Sequence, residues 1–196
     1  MARRLRPERL RRLLVLALPL GLTSPSHADA LDALLERFAA RPAGHAAFTE
    51  VHELAMLERA LSSSGELRYR APDYLEKRTL HPRTETLLLD KGRLIIERGG
   101  HRREVELAAH PELVPYIESI RATLAGDRAA LERYFVVELG ADGPSWTLRL
   151  TPRAGAAEGS VAEVRMRGVA DAIREVQILL KDGDRSRLSI GPELPP

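Results

Sequence analysis

The chain has 196 residues, 30 basic and 28 acidic side chains, a hydrophobic content of 44% and no cysteine. That length suits one domain with a single core, and the missing cysteine excludes disulfides, thiolate chemistry, Cys-ligated zinc and a lipidated N-terminal cysteine. Residues 1–30 hold six of the bases and two of the acids, so the remainder keeps 24 bases against 26 acids and a net charge of −2, with Arg and Glu interspersed instead of gathered into the basic stripe of a nucleic-acid binder.

Met1 to Ala30 read as a secretory signal peptide. Arg3, Arg4, Arg6, Arg9, Arg11 and Arg12 form a basic n-region, Leu13 to Leu22 an apolar h-region, and Ala28-Asp29-Ala30 a small-x-small cleavage site. A membrane anchor needs roughly 20 apolar residues, and Pro19, Gly21 and Thr23 cut this run short. A surface-bound amphipathic helix fits worse, because the bases precede the apolar residues instead of sharing a helix with them. Cleavage would release a soluble domain, residues 31–196, into the space beyond the inner membrane.

Leu31 to Ala40 places Leu31, Leu34, Leu35 and Phe38 at helical spacing, ahead of the breakers Pro42 and Gly44. Phe48, Val51, Leu54, Leu57 and Leu61 also mark a helical stripe, so periodicity alone assigns that stretch to a helix. From Gly65 to Arg70 apolar and charged residues alternate, which predicts a strand with Leu67 and Tyr69 on one face. Strand-like runs follow at Tyr74 to Leu80, Glu85 to Leu89, Arg93 to Glu97 and Arg103 to Leu107, separated by turn chemistry such as Asp90-Lys91-Gly92 and Gly99-Gly100. Pro111 to Leu124 and Asp127 to Tyr134 read as two helices hinged at Gly126, with Asp127 as N-cap. Strands resume at Tyr134 to Leu139, Ser145 to Thr151, Val161 to Arg167, Ile173 to Leu180 and Arg187 to Ile190. Pro152 to Ser160 reads as a Gly/Ala loop and Pro192 to Pro196 as a frayed tail. This order predicts an α+β, mainly antiparallel fold in which a sheet of about ten strands curls around a core and is partly covered by helices.

Catalytic and metal-binding patterns do not emerge. His27, His45, His52, His81, His101 and His110 are scattered singly, and the Gly-x-Ser-x-Gly, Gly-x-x-x-x-Gly-Lys and Gly-x-Gly-x-x-Gly motifs are absent. Asp182-Gly183-Asp184 lacks the further ligands of a calcium loop and reads as a hairpin turn. No enzyme activity, cofactor or metal is expected.

Several motifs taken in order resemble the periplasmic outer-membrane lipoprotein carrier protein LolA and its divergent LolA-like relatives. They are Phe48-Thr49-Glu50, Gly65-Glu66-Leu67 leading into Arg70-Ala71-Pro72, Pro82, the Asp90-Lys91-Gly92 turn, Trp146-Thr147-Leu148-Arg149-Leu150-Thr151-Pro152, Val164-Arg165-Met166, Val176-Gln177-Ile178 and Asp182-Gly183-Asp184. The resemblance implies a half-open barrel of about ten to eleven strands whose apolar cavity is covered by lid helices, and it turns the Phe48 to Leu61 stretch into long, bent strands, since tertiary pairing overrides local pattern. It implies a monomeric periplasmic carrier that takes a lipoprotein or glycolipid-like cargo from an inner-membrane exporter to an outer-membrane acceptor. The family's lid-latching Arg directly precedes a Pro; here Ala71 intervenes and the role would fall to Arg70. Aromatics are only 4% of the chain, so Leu, Ile and Val would line most of the cavity.

The residues expected to face a lipid cavity beneath a lid from Pro111 to Tyr134 are Leu67, Tyr69, Leu75, Trp146, Leu148 and Leu150. Strand alternation assigns them to a buried face and leaves open whether that face is cavity or packed core. The alternative function is a non-catalytic envelope module that offers its sheet or charged surface to a protein partner.

Overall fold

The computed structural model describes residues 27–56, 59–154 and 159–195, with backbone alone at 27 and 28. The n-region, the h-region and residues 155–158 of the loop from Pro152 to Ser160 therefore lie outside the described residues. Helix α1 (His27–Ala39) leads into strands β1 (Ala43–Glu53), β2 (Leu61–Arg70), β3 (Tyr74–His81), β4 (Glu85–Asp90), β5 (Arg93–Arg98) and β6 (His101–Glu106). A 3₁₀ turn (Leu107–Ala109) precedes helices α2 (Val114–Ala125) and α3 (Arg128–Tyr134), and β7 (Phe135–Asp142), β8 (Ser145–Pro152), β9 (Val161–Val169), β10 (Ala172–Leu180) and β11 (Arg185–Glu193) complete the chain.

All eleven strands share one antiparallel sheet in the order β6-β5-β4-β3-β2-β1-β11-β10-β9-β8-β7. Two meanders, β1–β6 and β7–β11, are built from neighbours in sequence and joined by the pairing of β1 with β11. The sheet does not close, because β6 and β7 are its two edges. The α2–α3 hairpin connects those edges, which carries the helices across the sheet. The result is an open α+β half-barrel.

Turn chemistry makes the meanders tight. Lys91-Gly92 has φ of 50° and 81°, and Gly99-Gly100 has 58° and 79°. Two successive positive φ values give the primed turns whose twist matches the strands they join. At the hinge between α2 and α3, Gly126 adopts φ 67°, and a Cβ there would lie 2.5 Å from the Leu35 carbonyl of α1, so glycine fixes both the end of α2 and its approach to α1.

The stretch that periodicity assigned to a helix is strand through Glu53, followed by a turn. Along it Phe48 and Glu50 are buried while Thr49 between them is exposed, the period of two that a central strand hydrogen-bonded on both sides imposes. Pro192 and Glu193 belong to β11 instead of a frayed tail: Glu193 pairs with Ala46, and Leu194 N–H donates to His45 O at 2.7 Å.

The packed core sits in the C-terminal half. Leu31, Leu34, Leu35 and Phe38 of α1 meet Leu131 and Phe135 and the inward face of β8 and β9, namely Trp146, Leu148, Leu150, Val164 and Met166. Each fully buried aliphatic side chain there stabilises the fold by about 1.5–3 kcal/mol. Every one of the α1 anchors follows Ala30 in the sequence, so a chain cut at the expected cleavage site keeps the whole buried face of the helix.

Candidate functional site

The opposite half of the concave face is not filled. A cavity of about 950 Å³ lies between β1–β5, β10 and β11 on one side and α2 on the other, within the range of pockets that enclose small ligands. Its floor is aliphatic: Leu67 from β2, Leu75 from β3, Leu87 and Leu89 from β4, Leu94 and Ile96 from β5, with Val176, Ile178, Leu188 and Ile190 completing the wall. Its roof is one face of α2, where Leu113, Tyr116, Ile117, Ile120 and Leu124 recur at three-to-four spacing.

One end of the cavity turns polar, and strand alternation explains how. On β1 the inward positions run Gly44, Ala46, Phe48 and then Glu50; on β11 they run Ile190, Leu188 and then Ser186; on β3 Leu75 is followed by Lys77. Glu50 is 2% exposed. It accepts from the Lys77 ammonium, lies 3.0 Å from His52 Nε2, and accepts from Ser186 Oγ at 2.7 Å. Burial by itself would raise this carboxyl, but the His52, Lys77 and Ser186 contacts and the Lys77 charge outweigh it and hold the pKa at about 2. The Tyr116 hydroxyl is pushed up to about 12 by burial, with the Glu50 charge adding to the effect. Lys77 also stands 5.2 Å from the centre of the Phe48 ring, which gives its ammonium a cation–π contact.

The other end is closed by ions nearer to solvent. Arg41, in the link between α1 and β1, donates to Asp171 Oδ2 at 3.2 Å and bonds Glu193 of β11. Between these ends, α2 is braced to α3 from within. Arg121 donates to both oxygens of Glu118 at 2.8 and 3.0 Å and to Asp127 Oδ2 at 3.2 Å, while Asp127 Oδ1 accepts from Ala130 N–H at 2.9 Å as the cap of α3.

Of the residues singled out from sequence, Leu67, Tyr69 and Leu75 line this cavity. Trp146, Leu148 and Leu150 do not; they are 5%, 0% and 0% exposed inside the packed core. Trp146 lies across Gly168, meets Phe38 edge-to-face with ring centres 5.6 Å apart, and donates from Nε1 to Ala170 O at 2.9 Å. Both sets alternate alike along their strands; the difference is that α1 fills the concave face over β8 and β9 and leaves it open over β2–β5. Arg70 is exposed and its guanidinium stacks 4.6 Å above the Tyr74 ring, on no lid residue. Glu50, Lys77 and Arg41 were missed in the sequence, whereas the α2 roof falls within the lid expected from Pro111 to Tyr134. The inward phase of β1 and β3, once their strands are set, is the signal that would have exposed the first two.

Residues 23–192 match the family of outer membrane lipoprotein carrier protein LolA-like sequences. The chain belongs to this LolA-like family. Solved structures similar to the LolA-like chain include a LolA superfamily protein from Nitrosomonas europaea, 10% identical, with 88% of this chain and 96% of that chain covered at a TM-score of 0.47. Lipoprotein LppX of Mycobacterium tuberculosis is 10% identical, with 85% and 96% covered at 0.44. The MucA/MucB complex of Pseudomonas aeruginosa matches at 16% identity, with 82% of this chain and 55% of that chain covered at 0.43. No curated protein matches the sequence. Among the described residues no helix is long and apolar enough to cross a membrane, and no three His, Asp or Glu side chains are grouped as metal ligands would be.

Proposed function

We propose that this chain is a non-catalytic carrier that holds the acyl chains of a lipoprotein or another acylated amphiphile in the cavity under α2 and shuttles it through the periplasm, from an inner-membrane exporter to an outer-membrane acceptor. The observation that carries the reading is an aliphatic cavity of about 950 Å³ in a member of the LolA-like family. Each methylene moved from water into such a wall contributes about 0.8 kcal/mol, so a cavity enclosing ten of them offsets about 8 kcal/mol of exposure in an aqueous compartment. Onward transfer requires that this gain stay recoverable. A half-open sheet whose roof is a single helix suits that need better than a sealed barrel.

The reading includes cleavage after Ala30 and release of a soluble monomer, and a lining of Leu67, Tyr69 and Leu75 joined by the leucines of β4 and β5. Delipidated protein should take up a fluorescent fatty acid with a blue-shifted, saturable signal, and acylated material should co-purify with protein isolated from native periplasm and appear by mass spectrometry. A protein that neither takes up the probe nor carries any lipid would overturn it. Release of a bound acylated peptide to acceptor vesicles, faster than its spontaneous transfer, tests the shuttling step.

A further inference from the structure

The two ends of the cavity differ in chemistry and in access to water. Glu50 is the last residue of β1 to line it and Lys77 the last of β3, and the next inward positions on those strands, His52 and Thr79, lie outside the lining. That end is nearly dry, with the Glu50 side chain 2% exposed and the Lys77 side chain 19%. Its polar groups are already matched to one another: Glu50 accepts from Lys77 and from Ser186 Oγ at 2.7 Å, and His52 Nε2 lies 3.0 Å away. At the opposite end the side chains of Arg41, Asp171 and Glu193 are 32%, 47% and 56% exposed, so a polar group among them keeps its water. From Gly44 to Glu50 along β1 the distance is about 20 Å at the rise of a strand. One leaflet of a bilayer holds about 15 Å of hydrocarbon, so the acyl chain of a membrane lipid fits lengthwise.

We infer that the acyl chain of the cargo lies along β1 and β11 with its polar linkage at the Arg41 end and its terminal methyl against the Glu50–Lys77 pair, which thereby sets the longest chain the carrier takes. The inference rests on the carrier reading above and assigns the orientation and length of what is carried. A methylene moved from water onto an aliphatic wall improves affinity about fourfold. One that has to pass the pair meets a different balance. Lys77 must be drawn off a carboxylate that burial has cut off from water, and parting a buried ion pair weakens binding about a hundredfold or more. Three further methylenes do not recover that loss. The reverse orientation would bring the polar linkage to a pair whose charges already cancel and leave the methyl end among the exposed ions at Arg41. It gains no partner at one end and loses apolar burial at the other.

Two measurements on delipidated protein test the orientation and the stop separately. In the wild type, a fatty acid with a nitroxide beside its methyl end should broaden the NMR methyl signals of Ile178 and Leu188, and one with the nitroxide beside its carboxyl those of Ala172 and Ile190, the residues that line the two ends from β10 and β11. The opposite pattern overturns the inference, as does a methyl-end label that broadens Leu94 and Ile96 of β5, which would set the chain across the strands. In titrations with saturated fatty acids of increasing length, wild-type affinity should climb about fourfold per carbon to a limiting length and then level off. Glu50→Leu combined with Lys77→Leu removes both charges together and leaves neither ion unpaired in the wall. The double variant should bind acids below the limit as the wild type does and move the limit to longer acids, the first acid beyond it gaining about fourfold. A limit that stays in place overturns the inference, as does an equal loss for acids of every length, which would make the pair the seat of the polar linkage. If the double variant does not fold, the nitroxide pattern in the wild type decides. A wild-type protein that binds no acid of any length and is broadened by neither label overturns the carrier reading itself, an outcome distinct from all of these.

Discussion

Glu50 is the only charged side chain among the described residues that is buried, and it shows how one position can be both costly and stabilising. Its carboxylate is compensated by Lys77, His52 and Ser186, which together hold it at about 2, down from 4.5. A carboxyl depressed in the folded state contributes stability that is complete above the unfolded value and is lost as the pH falls through the folded one. Here that window runs from about 4.5 down to about 2, and the amount at stake is on the order of 3 kcal/mol. Glu50→Gln should therefore be less stable than wild type near neutral pH, with the gap in urea-unfolding free energy narrowing as the pH drops through that window; a gap that stays constant would count against the pairing. Gly168 makes the complementary point about shape. A Cβ there would sit 2.1 Å from the Trp146 ring and 2.3 Å from Ala172 O. Gly168→Ala should cost at least about 2 kcal/mol and disturb the emission of Trp146, the single tryptophan in the chain.

At the scale of elements, the α2–α3 hairpin depends on Asp127 twice, as cap of α3 and as partner of Arg121 on α2. Asp127→Ala should cost about 1 kcal/mol or somewhat more, whereas Asp127→Asn keeps an N-capping oxygen and should lose less; chemical denaturation of the two variants side by side measures the cap against the ionic brace. Most elements were legible in the sequence because their signals are local: alternation in β2, Asp-x-Gly and Gly-Gly turns, helical spacing in α1 and α2, a cap residue at Asp127. What was not legible is set by distant pairing. The helical stripe of Phe48 to Leu61 is overridden because β1 is hydrogen-bonded to both β2 and β11, and β11 reaches through Pro192 and Glu193 only because β1 is long enough to receive it. The candidate site was half legible for a related reason. Alternation assigns Leu67 and Leu148 equally to a buried face, and nothing local to either strand records that α1 packs over one and leaves the other facing open space.

For the whole molecule, the division of the concave face into a filled half and an open half gives the two halves opposite responses to the same kind of change. Leu148 is fully buried among α1, β8 and β9, so Leu148→Ala leaves a void that the surrounding side chains close only partly and should cost about 2–5 kcal/mol. Its effect on acyl-probe affinity, measured per folded molecule, should be small. Leu67 faces the cavity, so Leu67→Trp adds volume where there is space to receive it. That substitution should change the unfolding free energy by less than about 1.5 kcal/mol, the range of well-tolerated core exchanges, while reducing the length or affinity of acyl chain the protein accepts. The pair is read by urea unfolding and by titration with fatty acids of increasing chain length. If Leu67→Trp destabilised as an overpacked core residue does and left chain-length preference untouched, the open half would be core too, and the proposed carrier function would lose the space on which it depends. If the two substitutions separate as described, stability resides in the half under α1 and cargo capacity in the half under α2, so the roof can open for transfer without unfolding the packed core.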